Sequence, residues 1–320
     1  MLPIFLVPRT PSAAEFNSHG ISPKAVLQFE VSVKIRRFKG GILVNGELYQ
    51  IACITAAAKH AMQSHTDIAY APLAYEGEIV FQFLPEKSIV KTVTPTVSGV
   101  DAWYRRCLGK GLEDVKLLTP VSVTDRGHLG FANMTQASLV CFYGGHRVTY
   151  FTAYWEFDRD RRAWNIRYTE HAWENAPGGK PMFKNNREAF LTVLGEIREL
   201  ALKLECDGFA KIFERAREIL AENILAGNQG KECTDGGSEN GPDKDSASGR
   251  HKLPLPQIPA EHLPLFQAAD IADVFGAMGS WNDSPPYMAY KKGLTAEYEA
   301  LSAELLKNLR LAVMYAINEW

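Results

Sequence analysis

The sequence predicts an α+β protein: an antiparallel, aromatic-rich sheet covered on one side by a helical layer, with a tethered C-terminal helical pair packed back on the body. Three observations predict it. Segments of period two with one apolar face recur through the first half of the chain, as half-buried strands require. Apolar residues at three- and four-residue steps take over after Phe183, the pattern of helices that bury one stripe. Between the helical stretches, Cys233 to Gly249 is a run of Gly, Ser, Asn, Asp and Lys with too little apolar surface to fold alone.

Taken in order, residues 1–24 are irregular, because Pro8, Pro11, Gly20 and Pro23 break any period. Val26 to Ile35 alternates as a strand, Gly40-Gly41 turns the chain, and Asn45-Gly46 reads as a hairpin turn into Leu48-Tyr49. The alanine-rich stretch Ile51 to Gln63 is expected to be a helix lying close to the sheet. Gly77 to Leu84 alternates, with Ile79, Phe81 and Phe83 on one face, and Lys91 to Val97 reads as an edge strand because Pro95 donates no ladder bond. A short helix is expected over Val100 to Leu108, then strands at Val115 to Val123 and Ser138 to Tyr143.

The clearest hairpin pairs Arg147–Phe157 with Trp164–Glu170 through the charged turn at Asp158. Its aromatics on both faces place it in the middle of the sheet. Two consecutive helices follow over 183–226, the first capped by Asn185 or Asn186, the second opened by Asp207 and Gly208. The organisation is therefore a body, 1–226 (irregular arm 1–24, sheet with short helices 25–175, helical pair 183–226), a polar linker, 227–262, and a tail, 263–320. In the tail, Pro264 to Phe275 reads as a short helix. The last helix carries Leu294, Tyr298, Leu301, Leu305, Leu309, Val313 and Ile317 on one stripe, and burying each such side chain is worth about 1.5–3 kcal/mol, so the stripe needs a docking surface.

Composition excludes several classes. With 46% hydrophobic and 22% charged residues and a formal net charge of −2, the 320-residue chain reads as an ordinary globular protein. It lacks the basic excess that a nucleic-acid surface carries, so no nucleic-acid partner is expected. No stretch approaches the roughly 18 apolar residues of a membrane span, and Pro3 and Pro8 interrupt the apolar run at Leu2–Val7, so neither membrane insertion nor export is expected. Five cysteines without a C-x-x-C pair read as reduced thiols in a cytoplasm.

The chain contains no phosphate-binding glycine loop, dinucleotide fingerprint, H-E-x-x-H helix or nucleophile elbow. His60, His65 and Asp67 are spaced five and two apart, which does not place two imidazoles on one helical face, so no metal and no cofactor are expected. Two groups of residues remain as candidate sites. Glu170, His171 and Glu174 bring carboxylates beside an imidazole, the raw material of general acid/base chemistry, although alternation along a strand sends Glu170 and His171 to opposite faces. In the tail's connector, Trp281, Asn282 and Asp283 offer one large ring and two turn-forming side chains. They read either as a binding site or as a packed loop with Trp281 in the core and Asp283 capping a turn.

The functional expectation is a cytoplasmic, non-enzymatic binding or regulatory protein of the adaptor or toxin-neutralising type. Its partner, another protein, would be recognised in a groove between the sheet and the C-terminal helices. The alternative is an enzyme with a carboxylate/histidine pocket. A homodimer formed through exchange of the tail is compatible with either.

Overall fold

The computed structural model describes residues 46–87, 92–174, 176–227, 256–276 and 278–320. They belong to one compact unit that joins the sheet with the C-terminal helices. The predicted arm at 1–24, the strand at 26–35, the turn at Gly40-Gly41 and most of the linker lie outside the described residues.

Helix α1 (Gly46–Ser64) begins earlier than its alanine content suggests. Leu48 and Tyr49, expected as a hairpin arm, form its buried first turns, because Leu48, Ile51, Ala52 and Thr55 continue a helical stripe. Strand β1 (Glu76–Gln82) is followed by a small ribbon, β2 (Glu86–Lys87) with β3 (Thr92–Val93), then by β4 (Thr96–Ser98) and helix α2 (Val100–Gly109). Strands β5 (Leu112–Leu118), β6 (Ser138–Tyr143), β7 (Arg147–Asp158) and β8 (Ala163–Ala172) complete one six-stranded sheet in the order β4-β1-β8-β7-β6-β5. As expected, the β7–β8 hairpin occupies the centre. Its turn is closed by Asp158, whose Oδ1 accepts from the backbone N–H groups of Asp160 and Arg161.

The sheet is mixed rather than wholly antiparallel, since β1 runs parallel to β8. No tight turn joins these two strands, so no hairpin imposes an antiparallel direction on them. Their register shifts between Glu76 and Ile79, and there Gly77 is required: a Cβ at that position would meet Asn165 Oδ1 at 2.8 Å and the Trp164 carbonyl oxygen at 3.2 Å.

Alternation along β7 sends Thr149, Phe151 and Trp155 inward and Tyr150, Thr152 and Tyr154 outward. The inner face packs as an aromatic stack. Phe81 lies flat on Tyr168 at 4.7 Å between ring centroids, stacks on Trp103 of α2 at 5.2 Å, and takes Phe151 on its edge at 5.8 Å. On the outer face, Leu118, Val140 and Phe142 are covered by Trp173 and Phe183 from the segment after β8.

Helices α3 (Arg187–Lys203) and α4 (Asp207–Gly227) form the predicted pair. The tail contributes three helices rather than two: α5 (Leu263–Ala272), α6 (Pro285–Lys292) and α7 (Thr295–Asn318). Pro285 and Pro286 open α6, where a missing N–H removes no intrahelical bond. Gly293, at φ 71°, ends it. The long helix α7 is the axis of the helical layer, touching α1, α3, α5, α6 and the edge strand β5. Among the described residues no helix is long and apolar enough to cross a membrane.

Candidate functional site

The structure separates the first predicted cluster. Glu170 points to the inner face, where its carboxylate accepts from Thr149 Oγ1 at 2.8 Å and from the Leu84 N–H at 2.9 Å. His171 lies on the outer face, stacked on Tyr150 at 5.0 Å, with Nε2 2.9 Å from Thr152 Oγ1. Burial holds its pKa below the ordinary imidazole value. Glu174 is exposed in the turn beyond β8. These three groups converge on no common point. Of the residues weighed as metal ligands, His60, His65 and Asp67 are all exposed, and no three ligand-type side chains gather among the described residues.

The connector residues stay together, but Trp281 faces inward, Asn282 is half-buried and Asp283 is exposed. Trp281 is fully buried between Phe209 and Phe213 of α4 and Tyr298 of α7, with centroids 5.2–5.5 Å away. Its indole N–H donates to Ser302 Oγ at 2.8 Å, and its carbonyl accepts from Tyr298 O–H at 2.7 Å. Asp283 caps the local turn through the Gly279 N–H at 2.7 Å, and the Asn282 N–H donates to Ser280 Oγ at 3.1 Å. The packed-loop reading therefore describes Trp281, whose ring presents no face to a partner. The connector's exposed apolar side chain is Met278, 95% accessible.

Sequence reasoning missed the segment opposite it. Between β5 and β6, residues 119–137 form a connection longer than the ~12–15 residues beyond which loops are usually functional or unstructured. This one is pinned along its length. The buried guanidinium of Arg310 on α7 donates to the carbonyls of Pro120 and Thr135. Arg126 pairs with Glu299 at the other end of α7. Glu47 of α1 accepts from the Asn133 N–H and from Thr135 Oγ1. The Asn133 side chain bonds both the N–H and the carbonyl of Trp155 on β7, at 2.7 and 3.1 Å.

Asn133 and Gln136 hold positive φ values of 66° and 58°, a conformation non-glycine residues keep only where surroundings over-determine it. At the tip, Phe131 and Met134 are 53% and 43% exposed. Gly130 Cα lies 3.5 Å from the Cβ position of Gly276, which places the loop against the start of the connector. The signal present in the sequence was the length of the irregular stretch between two firm strands; nothing in it announced the pins, because Glu47 and Arg310 are far away along the chain.

The carboxylate that anchors this loop belongs to a buried polar group beneath α1. Tyr70 O–H donates to Glu76 at 2.6 Å, the Leu73 N–H donates to the same oxygen at 3.2 Å, and Tyr168 O–H donates to Gln50 Oε1 at 2.7 Å. Burial raises the pKa of both Glu47 and Glu76 above the usual carboxylate range, against the hydrogen bonds that favour their charged forms. It also pushes the Cys53 thiol up to about 12, so that thiol stays protonated and unreactive. A surface cleft of about 380 Å³ opens beside this group, walled by Tyr70, Pro72, Ile79 and Val100 with Glu78 and Asp101 at its rim.

No family model, no curated protein and no solved structure matches this chain.

Proposed function

We propose that this is a non-enzymatic binding protein whose contact surface is the tip of the β5–β6 loop, Phe131 and Met134, together with Met278 of the facing connector. The partner is another protein, met through apolar side chains. One observation carries the reading: the loop is fixed from beneath by two buried charges, Glu47 and Arg310, while its largest apolar side chains point into water. Ordering a loop before contact removes a cost that binding otherwise bears, and rigid exposed apolar side chains are what a preformed interface presents. Where α7 reaches β5, Asn318 bonds the Leu117 backbone, and the surface proposed lies at the opposite end of α7. The enzymatic alternative would have to use Glu170 and His171 from different faces of the sheet, as their alternation along the strand predicts.

The test is site-specific photocrosslinking in the native host, with a photoreactive phenylalanine analogue at position 131, 278 or, as a control on the open sheet face, 154. The expected result is one adduct of the same mass from 131 and 278, absent from 154. It should also disappear from 278 when Phe131→Ser and Met134→Ser are combined. These surface changes should alter stability by no more than about 0.5 kcal/mol. Adducts from 154 alone, or none from either loop position, remove the proposal.

A further inference from the structure

Strand β5 lies at the edge of the sheet, where unpaired backbone groups invite another strand. Here the outward-facing groups are taken by side chains instead. The carboxamide of Asn318, at the end of α7, accepts from the Leu117 N–H at 2.8 Å and donates to the Leu117 carbonyl at 2.7 Å, the pair of bonds a neighbouring strand would make. Two residues back on the same side, the Val115 N–H donates to Asp114 Oδ1 at 2.8 Å. Both covers are held by charge. Lys116 Nζ reaches Glu319 at 2.9 Å and the Pro181 carbonyl at 2.7 Å, while Asp114 receives Lys59 at 3.5 Å and Lys180 at 3.3 Å.

The strand beneath is self-complementary. If two copies of β5 pair antiparallel about Val115, the outward backbone groups of Val115 face each other as a hydrogen-bonded pair. Asp114 of each copy then stands opposite Lys116 of the other. Each ion pair that now holds a cover has a replacement across the two-fold axis. We propose that the C-terminal turn of α7 is an autoinhibitory strand surrogate. It masks a docking edge on β5 whose partner is the β5 edge of a second copy of this chain.

The experiment uses the full chain with Asn318→Leu and Glu319→Gln, which removes the cover supplied by α7 and the charge that holds it while keeping side-chain size. Light scattering over a concentration series should show the mass rise from 35.6 kDa toward twice that value, with the unaltered chain remaining at 35.6 kDa. Adding Lys116→Asp sets like charges opposite one another and should return the monomer. Adding Asp114→Lys to that variant restores complementarity and should bring the dimer back. A folded, unmasked variant that stays monomeric at every concentration overturns the proposal, as does a dimer indifferent to the charge exchange. Should Lys116→Asp disturb folding, hydrogen exchange in the unmasked variant decides: protection of the Val115 and Leu117 amides that rises with concentration supports the pairing, and constant protection refutes it.

Discussion

The two ends of α7 are held by different physics. At its start, the buried contacts are aromatic: Tyr298 and Ser302 close around Trp281, which is itself wedged between Phe209 and Phe213, while the exposed Glu299 pairs with Arg126. At its finish, about 30 Å from Tyr298 at about 1.5 Å per residue, they are polar and ionic, with Asn318 on Leu117, Glu319 on Lys116, and Lys59 over the Trp320 ring. The aromatic end leaves Phe131, Met134 and Met278 exposed around it, whereas the polar end covers the Leu117 backbone groups at a strand edge. A continuous apolar stripe says that a helix docks. It does not say which end will be sealed and which will face a partner, because that depends on the elements it meets.

The largest expected effect tests the aromatic end. Trp281→Ala removes a fully buried ring and leaves Ser302 Oγ without its donor. Such truncations cost about 3–5 kcal/mol, and the loss should appear as a lower urea midpoint, equal at low and high salt because no charge is involved. A loss that shrinks or grows with ionic strength would mean that the aromatic end is electrostatically supported after all, and the contrast would collapse.

Arg310 sits between the ends, and burial brings its guanidinium pKa down to about 10. Arg310→Met keeps the length and apolar stem but leaves the Pro120 and Thr135 carbonyls without their donor, each such buried group costing about 1–3 kcal/mol. The expected result is a stability loss of about 3 kcal/mol, with faster hydrogen exchange across 119–137 and unchanged exchange around Trp281. Exchange that quickens equally at Trp281 would show that the loop is not separately pinned.

The legible parts of this fold were those whose signal is local. The β7–β8 hairpin announced itself by alternation and the Asp158 turn, and α3, α4 and α7 by their stripes. The illegible parts depend on contacts between residues far apart in the chain. Nothing near Thr135 foretells Glu47 or Arg310, and nothing near Leu117 foretells Asn318. The same limit applies to Trp281. Its neighbours Gly279, Asn282, Asp283 and Pro285 are what a turn needs, and only Phe209, Phe213 and Tyr298 decide that the ring goes inside.

The smallest expected effect concerns acid. At the polar end His262, 7% exposed, stacks on Tyr315 at 5.0 Å, and its Nδ1 has no hydrogen-bond partner. Burial lowers its pKa, against the opposing pull of Glu261 and Glu319. Protonation would place a charge in the interior, so the folded state takes up the proton at lower pH than the unfolded chain, whose histidine titrates near 6.5. The stability that the neutral ring contributes is therefore present above about pH 6.5 and lost as pH falls through the lower folded value. Each unit between the two is worth about 1.4 kcal/mol. His262→Phe keeps the stack and removes the titration. Its urea midpoint, compared with that of the unaltered chain, should be level above about pH 6.5, gain as pH falls below it, and level off again below the folded value. The same comparison made on the Trp281→Ala background should show the same gain, since the ring that is removed carries no titratable group. A gain that vanishes on that background would mean that the two ends of α7 are coupled through the helix and do not dock independently.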